Sequence, residues 1–117
     1  RVQFKKPISE FQAIQWMIAD SMTELDAARL LMYEAARALE SGESWDVREG
    51  VRLAAQARLL AADAGHQACD RGLQMHGGYG FTREYAVERY WRDVQRVYPA
   101  EGREGLERLI LNGLNFD

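Results

Sequence analysis

Apolar residues recur along the first third of the chain at a spacing that alternates between three and four. Positions 11, 14, 18, 21, 25, 28, 32, 35 and 39 read Phe, Ile, Ile, Ser, Leu, Ala, Met, Ala and Leu, so eight of nine are apolar. That period keeps one seam of an α-helix turned toward a neighbouring helix. Trp16, Ala19, Thr23, Ala27 and Leu30 form a flanking stripe, which gives the same helix a second face to bury. The pattern predicts a helix over 9–40, ~48 Å long at 1.5 Å per residue. Ser9 and Gln12 spell a capping box at its start, and Gly42 is its natural stop.

Ser44 then caps a second predicted helix over 44–75, with Asp46 at its positive dipole end. Leu53, Ala57, Leu60, Ala64 and Ala68 make one stripe. Ala54, Ala61, Gly65, Ala68 and Gly72 make a seam of small residues that lets helix axes approach closely. Two long helices joined by so short a loop fold back antiparallel. His76-Gly77-Gly78-Tyr79-Gly80 breaks the pattern, and Thr82 is the next cap candidate. Val87, Tyr90, Trp91, Val94 and Val97 predict a shorter helix over 84–96, ended by Pro99. Leu106, Leu109 and Ile110 predict a fourth, from Glu101 or Gly102 to Gly113. No proline lies between Pro7 and Pro99, and no Asn-Gly or Asp-Gly hairpin signal appears. The expected class is all-α: an up-down four-helix bundle of two long and two short helices, in a single domain over 1–117.

Composition narrows the chemistry. A chain of 117 residues is one domain at most. A net charge of -3, from 18 acids and 15 bases, argues against a nucleic-acid or anionic-membrane partner. One cysteine, Cys69, excludes an internal disulfide, and with two histidines it leaves too few ligands for a Cys-based zinc site, so no metal is expected. No apolar run is long enough to span a membrane, and no signal-peptide pattern opens the chain. The chain begins on Arg1 rather than Met and reads as a processed product or a piece of something longer.

Three segments are more specific than a generic bundle needs. The first is Arg1-Val-Gln-Phe-Lys-Lys-Pro-Ile, followed by Phe11-Gln12. The second is Gln74-Met-His-Gly-Gly-Tyr-Gly-Phe-Thr-Arg-Glu-Tyr85, running into Val87-Glu88-Arg89 and Arg92-Asp93. The third is Glu101-Gly102 with Leu106 and Arg108. Together they resemble the C-terminal helical domain of the acyl-CoA dehydrogenase family, gaplessly from Gln74 through Arg108. The resemblance implies a flavoenzyme of which this chain is the C-terminal part, inactive by itself. It implies FAD, an acyl-CoA substrate, an electron-transfer flavoprotein as acceptor, and a homo-oligomer, dimer or tetramer. A bacterial cytoplasmic location is expected, with the mitochondrial matrix as the alternative. A family oxidase, which reoxidises with oxygen, shares this domain. The reading of another class is a catalytically silent helical module that keeps the fold without the chemistry.

Glu101 matches the family's catalytic base, which removes the α-proton of the thioester while the β-hydrogen leaves as hydride to flavin. Burial beside apolar substrate would raise such a carboxylate toward neutrality. The plain alternative is a helix N-terminal acid favoured by the dipole. Gly102 follows the base and is assigned to substrate. Arg1, Phe4 and Gln12 match positions that contact FAD from the neighbouring subunit. Gln74, Gly77 and Gly78 match the turn that holds its adenosine and pyrophosphate, where glycine admits backbone close to phosphate. His76 is given no role, and Arg92-Asp93 is read as a structural ion pair. Trp16, Trp45 and Trp91 are read as core or interface aromatics, and Cys69 as a small buried hydrophobe.

Three departures stand out. Lys5 occupies a family glycine position. Pro99-Ala100 precedes the base where bulkier residues are common. Arg103-Glu104-Gly105 replaces Thr-Ser-[EQ]. Arg103 and Gly105 are therefore assigned to the cofactor: Arg103 either replaces the threonine as a pyrophosphate contact at a helix N-terminus or marks an altered site.

Overall fold

In the computed structural model, which describes residues 1–40, 44–97 and 102–114, the first element is a tight hairpin. Strand β1 (Val2–Gln3) pairs antiparallel with β2 (Lys6–Pro7), Val2 opposite Pro7 and Gln3 opposite Lys6. The loop residues Phe4 and Lys5 sit at φ 52° and 65°. A two-residue loop matched to strand twist demands that left-handed conformation, and it normally recruits Asn and Gly. Phe and Lys hide the hairpin from a sequence search. Each left-handed side chain costs ~1–3 kcal/mol. Local contacts offset this: the Ile8 N–H donates to the Arg1 carbonyl at 3.0 Å, the Phe4 ring meets Phe11 edge-on at 6.4 Å, and the Lys6 ammonium lies 4.3 Å from the Phe11 ring centre.

Helix α1 (Gln12–Glu40) begins three residues later than the pattern predicts, because Ile8–Glu10 forms a 3-10 turn. Phe11 is extended, and its carbonyl accepts from the N–H groups of Ile14 and Gln15. The Ser9–Gln12 capping box is not what forms. Ser9 lies inside the turn, and Gln15 reaches back to donate to the Ser9 carbonyl at 2.9 Å. Helix α2 (Ser44–His76) follows. Gly42, expected to end α1, lies outside the described residues, as do the side chains of Ser44, Trp45 and Asp46.

The two long helices are antiparallel. Arg71 of α2 holds Ser21 and Glu24 of α1 at 3.1 and 2.9 Å, whereas Leu39 packs on Gly50. The face of α1 turned to α2 carries Ile14, Met17, Ser21, Glu24, Ala28, Leu31, Ala35 and Ala38, all at least half-buried. It shares Ile14, Ser21, Ala28 and Ala35 with the expected seam. Ile18, Leu25, Met32 and Leu39 turn partly to solvent, and Trp16 and Leu30 of the flanking stripe are 64% and 67% exposed. The buried apolar set is nearly all alanine, with Leu53 and Leu106 as its larger members.

Helices α3 (Val87–Val97) and α4 (Arg103–Gly113) both pack on α2. Val94 and Val87 sit over Gly65 and Gly72: a Cβ on either glycine would meet a valine methyl at 3.3 or 3.2 Å. Arg103 faces Asp63, and Gly113 abuts the Arg52 side chain. Both short helices therefore run antiparallel to α2 and follow one another along it. Helix α3 starts at Val87 rather than 84. Thr82 ends the 3-10 turn Gly77–Phe81 and donates to the Tyr79 carbonyl instead of capping α3. Arg92 pairs with Glu88, one helical turn away, and not with adjacent Asp93, since neighbours in sequence do not face each other on a helix. Pro99, the expected stop of α3, lies outside the described residues.

All-α with four helices, the molecule is built on α2 as a spine and is elongated, 60 × 25 × 25 Å. Its radius of gyration is 18.1 Å, against about 13 Å for a compact domain of this length. It exposes 8490 Å², against about 6,500 Å² for a compact monomer of this mass.

The glycine contacts give a paired prediction. Gly72→Leu drives α3 off its valine contact and costs ~1–3 kcal/mol of stability, as overpacking does. Gly105→Ala, in the first turn of α4 with open space where its Cβ would be, gains ~0.5–1 kcal/mol from backbone entropy. Urea unfolding reads both, and equal effects at the two positions would refute the packing role.

Candidate functional site

The glycine-rich turn at the end of α2 and the N-terminal hairpin meet at one corner. Gly77 leaves α2 at φ +59°, the left-handed exit that lets a helix terminate. A Cβ there would run into the Arg1 guanidinium, whose Cζ lies 3.3 Å from that point. Arg1 is thus laid directly on the Gly77 backbone. Gly78 is exposed, with no heavy atom within 4 Å of where its Cβ would be. Gln74, Gly77 and Gly78 line one groove of about 300 Å³, walled by Asp70, Phe81 and Trp91. The Trp91 indole N–H is buried there without a hydrogen-bond partner.

On the other side of Arg1 lies a larger cavity of about 540 Å³, mainly apolar, between Ile8, Ile14 and Ile18 and the aromatic rings of Tyr79 and Tyr85. His76 builds this wall: its Nδ1–H donates to the Gly72 carbonyl at 2.8 Å, and its ring meets Tyr85 edge-on at 5.6 Å. Gly80 is buried against Leu73, with a Cβ position 3.0 Å from the Leu73 carbonyl oxygen, so a larger residue there would force Leu73 to give way. Phe4 is 89% exposed at the hairpin tip, and Gln12 is exposed at the first turn of α1. Neither lines the groove or the cavity. Cys69 is half-buried, and desolvation pushes its thiol above the usual range, which suits a packing residue.

The second group of expected residues lies elsewhere on α2. Gly102 precedes α4 at φ +66°, and its carbonyl accepts from the Gly105 N–H at 3.0 Å. Arg103 donates to both Asp63 oxygens, at 3.2 and 3.4 Å, and to Glu107 at 2.9 Å. Asp63 first, and Glu107 with it, hold its guanidinium more firmly protonated. An anion arriving at Arg103 would have to compete with two carboxylates already there. Gly105 faces open space. Gly102 and Arg103 border a small cleft of about 50 Å³ with Asp63, Val97 and Leu106. Glu101 lies outside the described residues. From Asp63 to Gly77 is ~21 Å along the α2 axis at 1.5 Å per residue. The structure therefore joins Arg1 to the Gln74–Gly78 turn and sets Gly102, Arg103 and Gly105 apart from them. Asp63 was missed by the sequence reading. Its signal was an acid inside the small apolar run Ala61-Ala62-Asp63-Ala64.

The turn suits the phosphate-bearing half of a dinucleotide: glycine backbone without Cβ cover, a guanidinium across it, and a groove beside it.

Known proteins are similar to this chain in sequence and fold. Residues 1–113 match the family described as acyl-CoA dehydrogenase, C-terminal domain. A 3-(aryl)acrylate reductase of Clostridium sporogenes is 39% identical over 111 residues, 95% of this chain and 28% of the relative. A caffeyl-CoA reductase–Etf complex subunit of Acetobacterium woodii is 37% identical over 114 residues, 97% of this chain and 29% of the relative. A solved structure described as the electron transferring flavoprotein of Acidaminococcus fermentans, concerned with flavin-based electron bifurcation, superimposes with a TM-score of 0.88 at 35% identity. It covers 100% of this chain and 30% of that one. This chain belongs to the acyl-CoA dehydrogenase family and spans under a third of the length of these relatives.

At the corner, backbone conformation should outweigh side-chain crowding. Gly77→Ala is expected to cost ~1–2 kcal/mol in urea unfolding, the cost of a left-handed alanine. The loss should persist in an Arg1→Ala background, because the guanidinium can swing aside while φ cannot change. A loss that vanishes without Arg1 would instead place the strain in that contact.

Proposed function

We propose that this member of the acyl-CoA dehydrogenase family is the C-terminal domain of an FAD-dependent enzyme that dehydrogenates an acyl thioester between its α- and β-carbons, with Glu101 as the base. The reading is supported most by the glycine turn with Arg1 laid across Gly77 and the Gln74–Gly78 groove beside it, in register with the family's motifs. Bound FAD would supply the hydride acceptor. Arg1, Gln74, Gly77 and Gly78 would hold its adenosine and pyrophosphate, with Phe4 and Gln12 at the edge of the same contact. Gly105, open to one side of α4, belongs to the assigned cofactor contacts at the other end.

Glu101 would take the proton from the α-carbon. A carboxylate in water is too weak a base for this, and burial against apolar substrate raises its proton affinity. The backbone N–H groups beside it, Gly102 included, would polarise the thioester carbonyl. In the reverse direction the same carboxyl would return the proton, which suits relatives named as reductases. An electron-transfer flavoprotein is the acceptor this reading favours, in keeping with the names of two of the similar proteins.

We also propose self-association. Leu25, Met32 and Leu39 of α1 face Ala54, Ala57 and Ala61 of α2 across one open apolar cleft of about 550 Å³. Part of the apolar stripe of the first helix and two members of the second helix's seam, Ala54 and Ala61, thus border a single open apolar surface, while Gly65 and Gly72 of that seam are covered by Val94 and Val87.

Glu101→Gln in the full-length protein keeps size and hydrogen bonding and removes the base. Flavin should stay bound, and its bleaching by acyl-CoA without oxygen should slow by at least ~10²–10⁴-fold. Bleaching within a few-fold of wild type would move the base elsewhere, and no bleaching in wild type with any acyl-CoA would favour the silent module. Leu25→Asp should shift the sedimenting species to a smaller one at micromolar concentration; an unchanged profile would remove the cleft from the interface.

A further inference from the structure

Helix α4 begins at Arg103, two positions after Glu101 in sequence, and follows α3 along α2. The contacts that tie it down include buried Leu106, Gly113 against Arg52, the Arg48 guanidinium donating to the Asn112 carbonyl at 3.4 Å, and the ion pair of Arg103 with Asp63. Among these the ion pair lies nearest the break between α3 and α4. Arg103 also bonds Glu107, but that pair lies within α4 and cannot register one helix on another. Asp63 alone of the two carboxylates crosses from α2. Its side chain is 30% exposed and Arg103's is 56%, so the pair is partly screened by solvent.

We propose that Asp63 is a positioning residue: through Arg103 it latches the first turn of α4 to α2 and so fixes the position of Gly102, the residue assigned to substrate, at the head of that helix. The proposal rests on the Glu101 reading above. It also reassigns Arg103. A guanidinium shared between two carboxylates serves as half of a latch and not as a pyrophosphate ligand.

The two roles separate in the full-length holoprotein. As a latch, Asp63→Asn and Arg103→Ala should each speed hydrogen exchange at the Gly105 and Leu106 amides by up to about five-fold, the range of a half-exposed ion pair. Both should lower kcat to a similar degree with KM and flavin content unchanged. The double variant should be no worse than either single one, because both remove the same interaction. Asp63→Glu should retain most of the rate, and the exchanged pair Asp63→Arg with Arg103→Asp should recover part of it. A ligand role predicts another pattern: Arg103→Ala loses flavin, while Asp63→Asn, by freeing the guanidinium, keeps or tightens it. That pattern, or unchanged exchange in Asp63→Asn, overturns the latch. Glu101→Gln measured alongside distinguishes the failures. If that variant keeps its rate, the base assignment falls and the latch is decided by the exchange rates alone.

Discussion

Short side chains on α2 are the constraint from which the rest of the architecture follows. Three helices lie along a single one only if it presents almost no bulk. Ala55, Ala57, Ala62 and Ala64 are buried, and Gly50, Gly65 and Gly72 each receive a larger side chain from a neighbour: Leu39, Val94 and Val87. The close approach these glycines permit exchanges large-side-chain burial for backbone proximity. It also explains why the buried set is alanine-rich and why the surface is so extensive for the mass.

The spine distributes chemistry along its length. Its C-terminal end finishes in the glycine turn, where Arg1 is delivered by a hairpin that accepts two strained residues. Its middle carries Asp63 and receives the start of α4. These places are a dozen or more residues apart on one rigid helix, so they cannot close on one small ligand, and a dinucleotide-sized or two-ligand arrangement is what the spacing accommodates. In the reading proposed above, one end would serve the cofactor of a neighbouring subunit and the other the substrate of its own.

Much of this was legible before any coordinates, and the misses have physical causes. The period of three and four located α1 because a long helix imprints its pitch on every turn. Its phase was harder. Apolar residues populate two sides of α1, and the side that meets α2 includes Ser21 and Glu24, polar residues whose partner, Arg71, lies some fifty positions away. The hairpin was invisible because Phe4 and Lys5 adopt a conformation their side chains disfavour, and only tertiary contact holds it. The motifs singled out Arg1 and the Gln74–Gly78 turn separately, and it is the structure that brings the two together. The motifs could not anticipate that Arg103 would already be engaged by Asp63, since that contact spans forty residues. Arg92 choosing Glu88 over Asp93 was available from helix geometry alone.

An alanine core has a thermal consequence. Unfolding returns little additional hydrocarbon to water when the largest buried members are two leucines and Trp16, Ile18, Leu25, Leu30 and Leu39 of α1 are already exposed. The heat-capacity increment, which scales with newly exposed apolar area, should fall below the usual ~12–15 cal/mol/K per residue. A small increment flattens the stability curve, so the isolated rod would lose stability slowly on cooling and melt over a broad range. Covering the apolar face of α1 would add the missing area and sharpen the transition, leaving the secondary structure as it was.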